Sequence, residues 1–143
     1  MKVASALLKN RKVFIQPYAE TTSGVWIGFG PVRVYQVDQA AEIGLGIRDA
    51  LELSKRGVPH PSSDGWKEIQ RPMLEAVGAR NWGALAKGAR AVGLECSDGI
   101  VTITPSREYQ HDGGTDLVDR AITVSLDSEN IGELLVQAFE LST

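Results

Sequence analysis

One segment of this chain occurs twice. "IGLGIRDALELS", Ile43 to Ser54, returns near the C-terminus as "IGELLVQAFELS", Ile131 to Ser142, with Ile43/Ile131, Gly44/Gly132, Ala50/Ala138, Glu52/Glu140, Leu53/Leu141 and Ser54/Ser142 in register. Ala40, Ile43, Ile47, Ala50, Leu51 and Ser54 follow helical spacing in the first copy. Ile131, Leu134, Leu135, Ala138 and Leu141 do so in the second. Each copy therefore reads as an amphipathic helix with one stripe to bury. A glycine in the first turns of both lets the helix axis approach a sheet or a partner helix closely. The economical solution is an internal duplication in which both stripes pack on one antiparallel sheet.

The segments before the two helices supply that sheet. Val13 to Tyr18, Val25 to Phe29 and Val32 to Val37 are rich in β-branched and aromatic residues and separated by turn chemistry, with Asp38 where a helix cap belongs. In the second half, Ala91 to Cys96 and Ile100 to Thr104 flank Asp98-Gly99. Two β-rich runs joined by Asp-Gly predict a hairpin. Ala121 to Leu126 follows as a strand, with Asp127 and Ser128 as caps. The chain thus reads as a single α+β domain, 1–143, with the repeated units at 13–56 and 90–142 and a link at 57–89. Within that link, Pro72 predicts a helix that begins near Arg71, and Asn81 caps a short helix from Trp82 to Ala89. Pro105 to Arg120 reads as a polar, exposed excursion.

A formal net charge of −3 provides no basic field for a phosphate backbone, so nucleic acid is not the expected partner. Cys96 is the only cysteine, which excludes an intramolecular disulfide and fits a reducing compartment. The apolar-leaning run Val3 to Leu8 is too short for a secretory segment, and no membrane span is predicted.

Catalytic and cofactor signatures are missing their necessary parts. Gly44-x-Gly46 has Asp49, and Gly28-x-Gly30 has Arg33, where a dinucleotide fingerprint needs its third glycine. A couple of His111 and Asp112 with Ser106 or Cys96 is conceivable, but no spacing fixes a nucleophile beside a base. His60 reads as a loop histidine, and Trp26, Trp66 and Trp82 each read as core or edge residues. No metal-ligand spacing occurs, and no cofactor is expected.

The helix in two copies, the tryptophan of "ARNWGALAKGA", the strand end "IVTITP" and the closing "IGELLVQAFELS" together resemble the immunity proteins of bacterial contact-dependent growth inhibition systems. The likeness runs from about Val13 to Ser142. It implies a cytoplasmic, non-enzymatic protein that binds and neutralises the C-terminal toxin domain of a cognate effector, commonly a nuclease. A nuclease has a basic, phosphate-gripping surface, and carboxylates can take the place of phosphates. The candidate toxin-binding residues are Glu108, Tyr109, His111, Asp112, Asp116 and Asp119 in the excursion, with Tyr109 as an anchor, and Glu95 and Asp98 at the hairpin. Two other classes remain open at this point: an adaptor or oligomerisation module using the repeated helices as its contact face, and a small hydrolase using His111/Asp112.

Overall fold

The computed structural model describes residues 1–143 as an α+β fold. Its strands are β1 (Lys2–Lys9), β2 (Lys12–Thr21), β3 (Trp26–Gly28), β4 (Arg33–Gln36), β5 (Lys55–Val58), β6 (Arg90–Ser97), β7 (Ile100–Arg107), β8 (Thr115–Asp116) and β9 (Ile122–Ser125). The helices are α1 (Ala40–Leu53), α2 (Gly65–Val77), α3 (Trp82–Ala86) and α4 (Ile131–Leu141). All strands join one sheet. β1 and β6 pair at its centre, β2 flanks β1, β7 flanks β6, and the short strands decorate the outer parts of β2 and β7. Every pairing is antiparallel except that of β2 with β5.

Two similar units meet at the β1–β6 seam. Each is a hairpin, a strand laid against the hairpin's second strand, and a helix: β1, β2, β4 and α1 in one, β6, β7, β9 and α4 in the other. Both hairpins turn on two residues of positive φ, Asn10-Arg11 and Asp98-Gly99, the geometry that matches the twist of the flanking strands. The unit's beginning differs from the sequence expectation: it starts at Lys2, because Val3 to Leu8 is strand β1. That strand is central and covered on both faces, so it lacks the polar alternation that marks a half-exposed strand.

The terminal serines of the repeated segment have equivalent duties. Ser54 follows α1, is 2% exposed, accepts from the Val3 N–H at 2.9 Å and donates to the Tyr18 carbonyl at 2.7 Å. Ser142 follows α4, is 2% exposed, and accepts from the Ser106 N–H at 3.3 Å while donating to the Ala138 carbonyl at 3.2 Å. Val3 and Tyr18, like Ala91 and Ser106, stand one residue beyond the last registered pair of their hairpins. Each serine thus accepts from a backbone N–H where a ladder opens, which buried backbone requires; Ser54 also donates to the opposite strand, whereas Ser142 donates back into its own helix.

Both helices lie on one face of the sheet. Ala4, Ala6, Val13, Ile15, Val92, Leu94, Val101 and Ile103 meet Ile43, Ile47, Ala50, Leu51, Ile131, Leu135, Ala138 and Phe139 in a cluster of seventeen buried residues. The two glycines meet where the helices cross. A Cβ on Gly132 would collide with the Ala40 carbonyl oxygen and stand 3.0 Å from the Gly44 nitrogen, and one on Gly44 would stand 3.3 Å from Ile131 Cγ2. Gly46 lies under the Tyr35 ring. These glycines are therefore scaffold: Gly44 and Gly46 lie inside α1, and the space at first-turn Gly132 is filled by the helix crossing.

Several local expectations are corrected. α2 begins at Gly65 and carries Pro72 in its interior; the stripe Trp66, Ile69, Met73, Leu74 and Val77 continues through the proline and packs toward the sheet's second face, which outweighs one missing backbone donor. Neither Asp38 nor Asp127 nor Ser128 caps a helix, the cap positions being Gln39 and Asn130 without side-chain bonds. Arg48 of α1 instead grips the turn before α4, donating to the Leu126 carbonyl at 2.8 Å and the Ser128 carbonyl at 2.7 Å. Asn81 does cap α3, accepting from the Ala84 N–H at 2.8 Å, and α3 ends at Ala86 instead of Ala89.

Candidate functional site

Side chains alternate along a strand, so residues between the core positions point to the sheet's other face. Ser5 and Leu7 of β1, Phe14, Gln16 and Tyr18 of β2, and Trp26 and Gly28 of β3 occupy it. α2 and α3 cover this part of the face incompletely. Leu7, Phe14, Leu85 and Ala91 form one small buried cluster there and Ile69 of α2 packs against another, Ala19, Ile27 and Val58, but α2 itself contains no buried residue. A cavity of about 210 Å³ is left between α2, α3 and the sheet. All three tryptophans of the chain line it, together with Tyr18 and Tyr109.

Burial raises the pKa of the Tyr18 phenol, the Ser5 hydroxyl beside it pulling the other way. Burial also pushes Tyr109 up to about 12, with Tyr18 adding to the rise and a hydrogen bond with Trp82 opposing it. The Trp82 and Tyr109 rings are 5.8 Å apart and tilted by 45°. Both phenols remain neutral well above physiological pH.

The polar excursion borders this cavity. It leaves β7 after Arg107, two residues later than Pro105, and is held by backbone hydrogen bonds within itself, to β7 and to the C-terminus. The Glu108 N–H donates to the Thr143 carbonyl, the Gly113 N–H to Tyr109, and the Leu117 N–H to Pro105. Glu108 and Asp112 adopt positive φ, 52° and 54°, and Thr115–Asp116 pairs with β7. Glu108, His111, Asp112, Asp116 and Asp119 are all exposed. Tyr109 is turned inward against Trp82, so it is a wall of the cavity and not a protruding anchor. The apolar side chain that does protrude is Val118, 74% exposed beside Asp119.

Glu95 and Asp98 are exposed as well but stand apart from this loop. Asp98 is at the turn before β7 and Glu108 beyond its end; eight residues at about 3.3 Å each separate them by about 25 Å. Asp98 thus lies at the far end of β7 from the excursion, while Glu95, registered with Thr102, stands midway along it.

The parts of the conceivable hydrolase do not converge. Cys96 is buried in the α1/α4 core, on the opposite face from Tyr109. Ser106 is 5% exposed and its hydroxyl donates to the Ala91 carbonyl at 2.6 Å. His60 pairs its Nδ1 with Ser23 Oγ at 2.7 Å and sets its ring edge-on to Trp66, far from His111 in sequence and in a different loop. No three His, Cys, Asp or Glu side chains gather in metal-ligand geometry. The repeated helices bury their stripes on the sheet and leave only Leu45 and Leu53 as large exposed apolar residues, which is little for an adaptor's contact face. No helix is long and apolar enough to cross a membrane.

The cavity was missed in the sequence because its tryptophans are scattered over three elements, each of which alone reads as core or edge. The signal that could have indicated it is the Trp66/Ile69/Met73 stripe, on a helix too polar overall to be buried.

No family model matches the sequence, and no curated protein matches it. Two solved structures share the fold over nearly the whole chain. A protein of unknown function from Neisseria meningitidis aligns with a TM-score of 0.81 at 20% identity, covering 99% of this chain and 95% of that one. A chain of the CdiA-CT/CdiI toxin and immunity complex from Yersinia pseudotuberculosis aligns with a TM-score of 0.79 at 19% identity, covering 99% and 97%.

Proposed function

We propose that this chain is an immunity protein of a contact-dependent growth inhibition system, a cytoplasmic, non-enzymatic inhibitor of a cognate nuclease toxin domain. The observation that carries it is the near-complete likeness of its fold to a chain of a toxin and immunity complex. The catalytic candidates favour the inhibitor's side of such a pair, since Cys96 is committed to the core and the Ser106 hydroxyl to the Ala91 carbonyl. The two similar units are further read as the product of an internal duplication.

The toxin-facing surface is assigned to the excursion. Glu108, Asp112, Asp116 and Asp119 present carboxylates on a loop that its own hydrogen bonds hold in shape, which lowers the ordering cost of binding. They steer a basic toxin toward the surface, while Val118 replaces Tyr109 as the apolar contact that resists dissociation. Asp98, at the far end of β7, contributes to the long-range field, and Glu95 borders the footprint from mid-strand.

The test is binding kinetics with the toxin domain encoded beside this protein, at several salt concentrations, together with growth of cells expressing that toxin. The triple reversal Asp112→Lys, Asp116→Lys, Asp119→Lys is expected to slow association about tenfold or more at low salt. Val118→Ala acts mainly on dissociation. Absence of both binding and growth rescue refutes the immunity reading; rescue with unchanged kinetics in the triple variant refutes only the assigned surface.

A further inference from the structure

The cavity under α2 has a chemistry of its own. Its volume is about 210 Å³, whereas a dry apolar cavity of about 150 Å³ accepts benzene. The space therefore admits two fused rings. Its walls are flat: Trp26 of β3, Trp66 of α2, Trp82 of α3, Tyr18 of β2 and Tyr109 of the excursion each contribute a ring. Planar ligands gain most from such walls through stacked and edge-on contacts.

Charge narrows the ligand further. No Lys, Arg, His, Asp or Glu is among the lining residues, so an ionised ligand would lose its hydration without a counter-charge. That disfavours ligands that would bury a charged group in it. The floor is not wholly apolar, however. Gln16 is 3% exposed and donates one carboxamide N–H to the Gly30 carbonyl at 3.2 Å. Its carbonyl oxygen lies against Gly28, only 2.7 Å from where a Cβ would be, so glycine at this position keeps room for the carboxamide. The Ser5 hydroxyl lies alongside. A nearly buried acceptor among aromatic walls suits a ligand that carries an N–H on its edge. The cavity is open to solvent on one side, so a ligand can enter without any element moving.

We propose that this cavity binds a neutral, planar, two-ring aromatic compound with a hydrogen-bond donor on its edge, flanked by the three tryptophans and oriented by the Gln16 carboxamide. The site does not depend on the toxin reading, because none of the excursion's carboxylates lines it.

Indole is the probe. The chain has three tryptophans and all line the cavity, so the three indole N–H resonances of the ¹⁵N-labelled protein report occupancy directly. Titration with indole should shift all three in one saturable step. Benzofuran, of similar shape without the N–H, should bind about threefold more weakly or worse. Indole-3-acetate, which adds a carboxylate, should bind at least about tenfold more weakly. Ile69→Trp, which adds bulk from α2 into the cavity, should abolish saturation while the amide resonances of α1 and α4 stay in place. Unsaturable shifts with indole would overturn the proposal, as would equal binding of indole-3-acetate or unchanged indole binding by a folded Ile69→Trp variant. Resonances that move only when the toxin domain is added would overturn it too, and would make the cavity a receptor for a partner's side chain.

Discussion

On the α1/α4 side the sheet offers alanines and β-branched residues, and the helices answer with Ile43, Ile47, Ile131, Leu135 and Phe139, each 1% exposed or less. On the α2/α3 side the same strands offer Ser5, Gln16 and Tyr18, and the helix above them buries nothing completely. The first face belongs to the repeated units and is packed to exclusion; the second is covered by the unrepeated segments and keeps a cavity. Close packing on one side supplies stability, which leaves the other side free to carry an incompletely filled space. Sites for ligands and partners are drawn from such loosely held regions, where local opening costs little.

The largest effect that would test this contrast comes from the helix crossing. Gly132→Leu must drive α4 away from the Ala40 carbonyl and should cost on the order of 4 kcal/mol, whereas exposed Glu133→Leu should stay within about 0.5 kcal/mol. Equal urea midpoints for the two variants would show that the crossing is not tight. Next in size, Leu135→Ala should lose about 3 kcal/mol by opening a hole in the packed face. Leu74→Ala, half-buried on α2, should lose about 1 kcal/mol or less because its side chain is already partly hydrated. Comparable losses would mean that α2 is as firmly packed as α4.

A pH titration sharpens the same contrast from the cavity side. The unfolded-state pKa of tyrosine is about 10 and that of folded Tyr109 about 12. The folded state thus holds the phenol's proton after the unfolded state has released it. Stability is complete below about pH 10 and falls as pH rises through the interval to 12, by about 1.4 kcal/mol per unit for this group. Tyr109→Phe should flatten that decline in part, Tyr18 contributing in the same direction; an unchanged slope by chemical denaturation at pH 9 and 11 would place Tyr109 in water. The smallest expected effect is that of Asp112→Lys, Asp116→Lys, Asp119→Lys on folding, within about 0.5 kcal/mol. A larger loss would mean that these exposed side chains hold the excursion in shape.

How much of this could be read from residues alone differs between the faces. The packed face was legible because Ile43, Ile47 and Leu51 repeat a helical stripe that returns at Ile131, Leu135 and Ala138, and because Asp98-Gly99 encodes its turn locally. β1 escaped notice because alanines in a doubly covered strand carry no period. α2 was cut short because Pro72 is a strong local breaker, overridden here by a stripe that spans it. The excursion's carboxylates were correctly read as exposed, but the orientation of Tyr109 depends on Trp82, its neighbour across the cavity from another element.

Spacing along the chain therefore specifies two like helices, the glycines that let them touch, the β6–β7 hairpin and the cap at Asn81. Packing in three dimensions brings Ser54 and Ser142 to equivalent hairpin ends and sets Trp26, Trp66, Trp82, Tyr18 and Tyr109 around one space free of charge. A helix or turn is fixed by interactions between residues a few positions apart, which a linear pattern records. A cavity is bounded by residues from five elements, and their meeting follows from how the sheet and its covering helices pack.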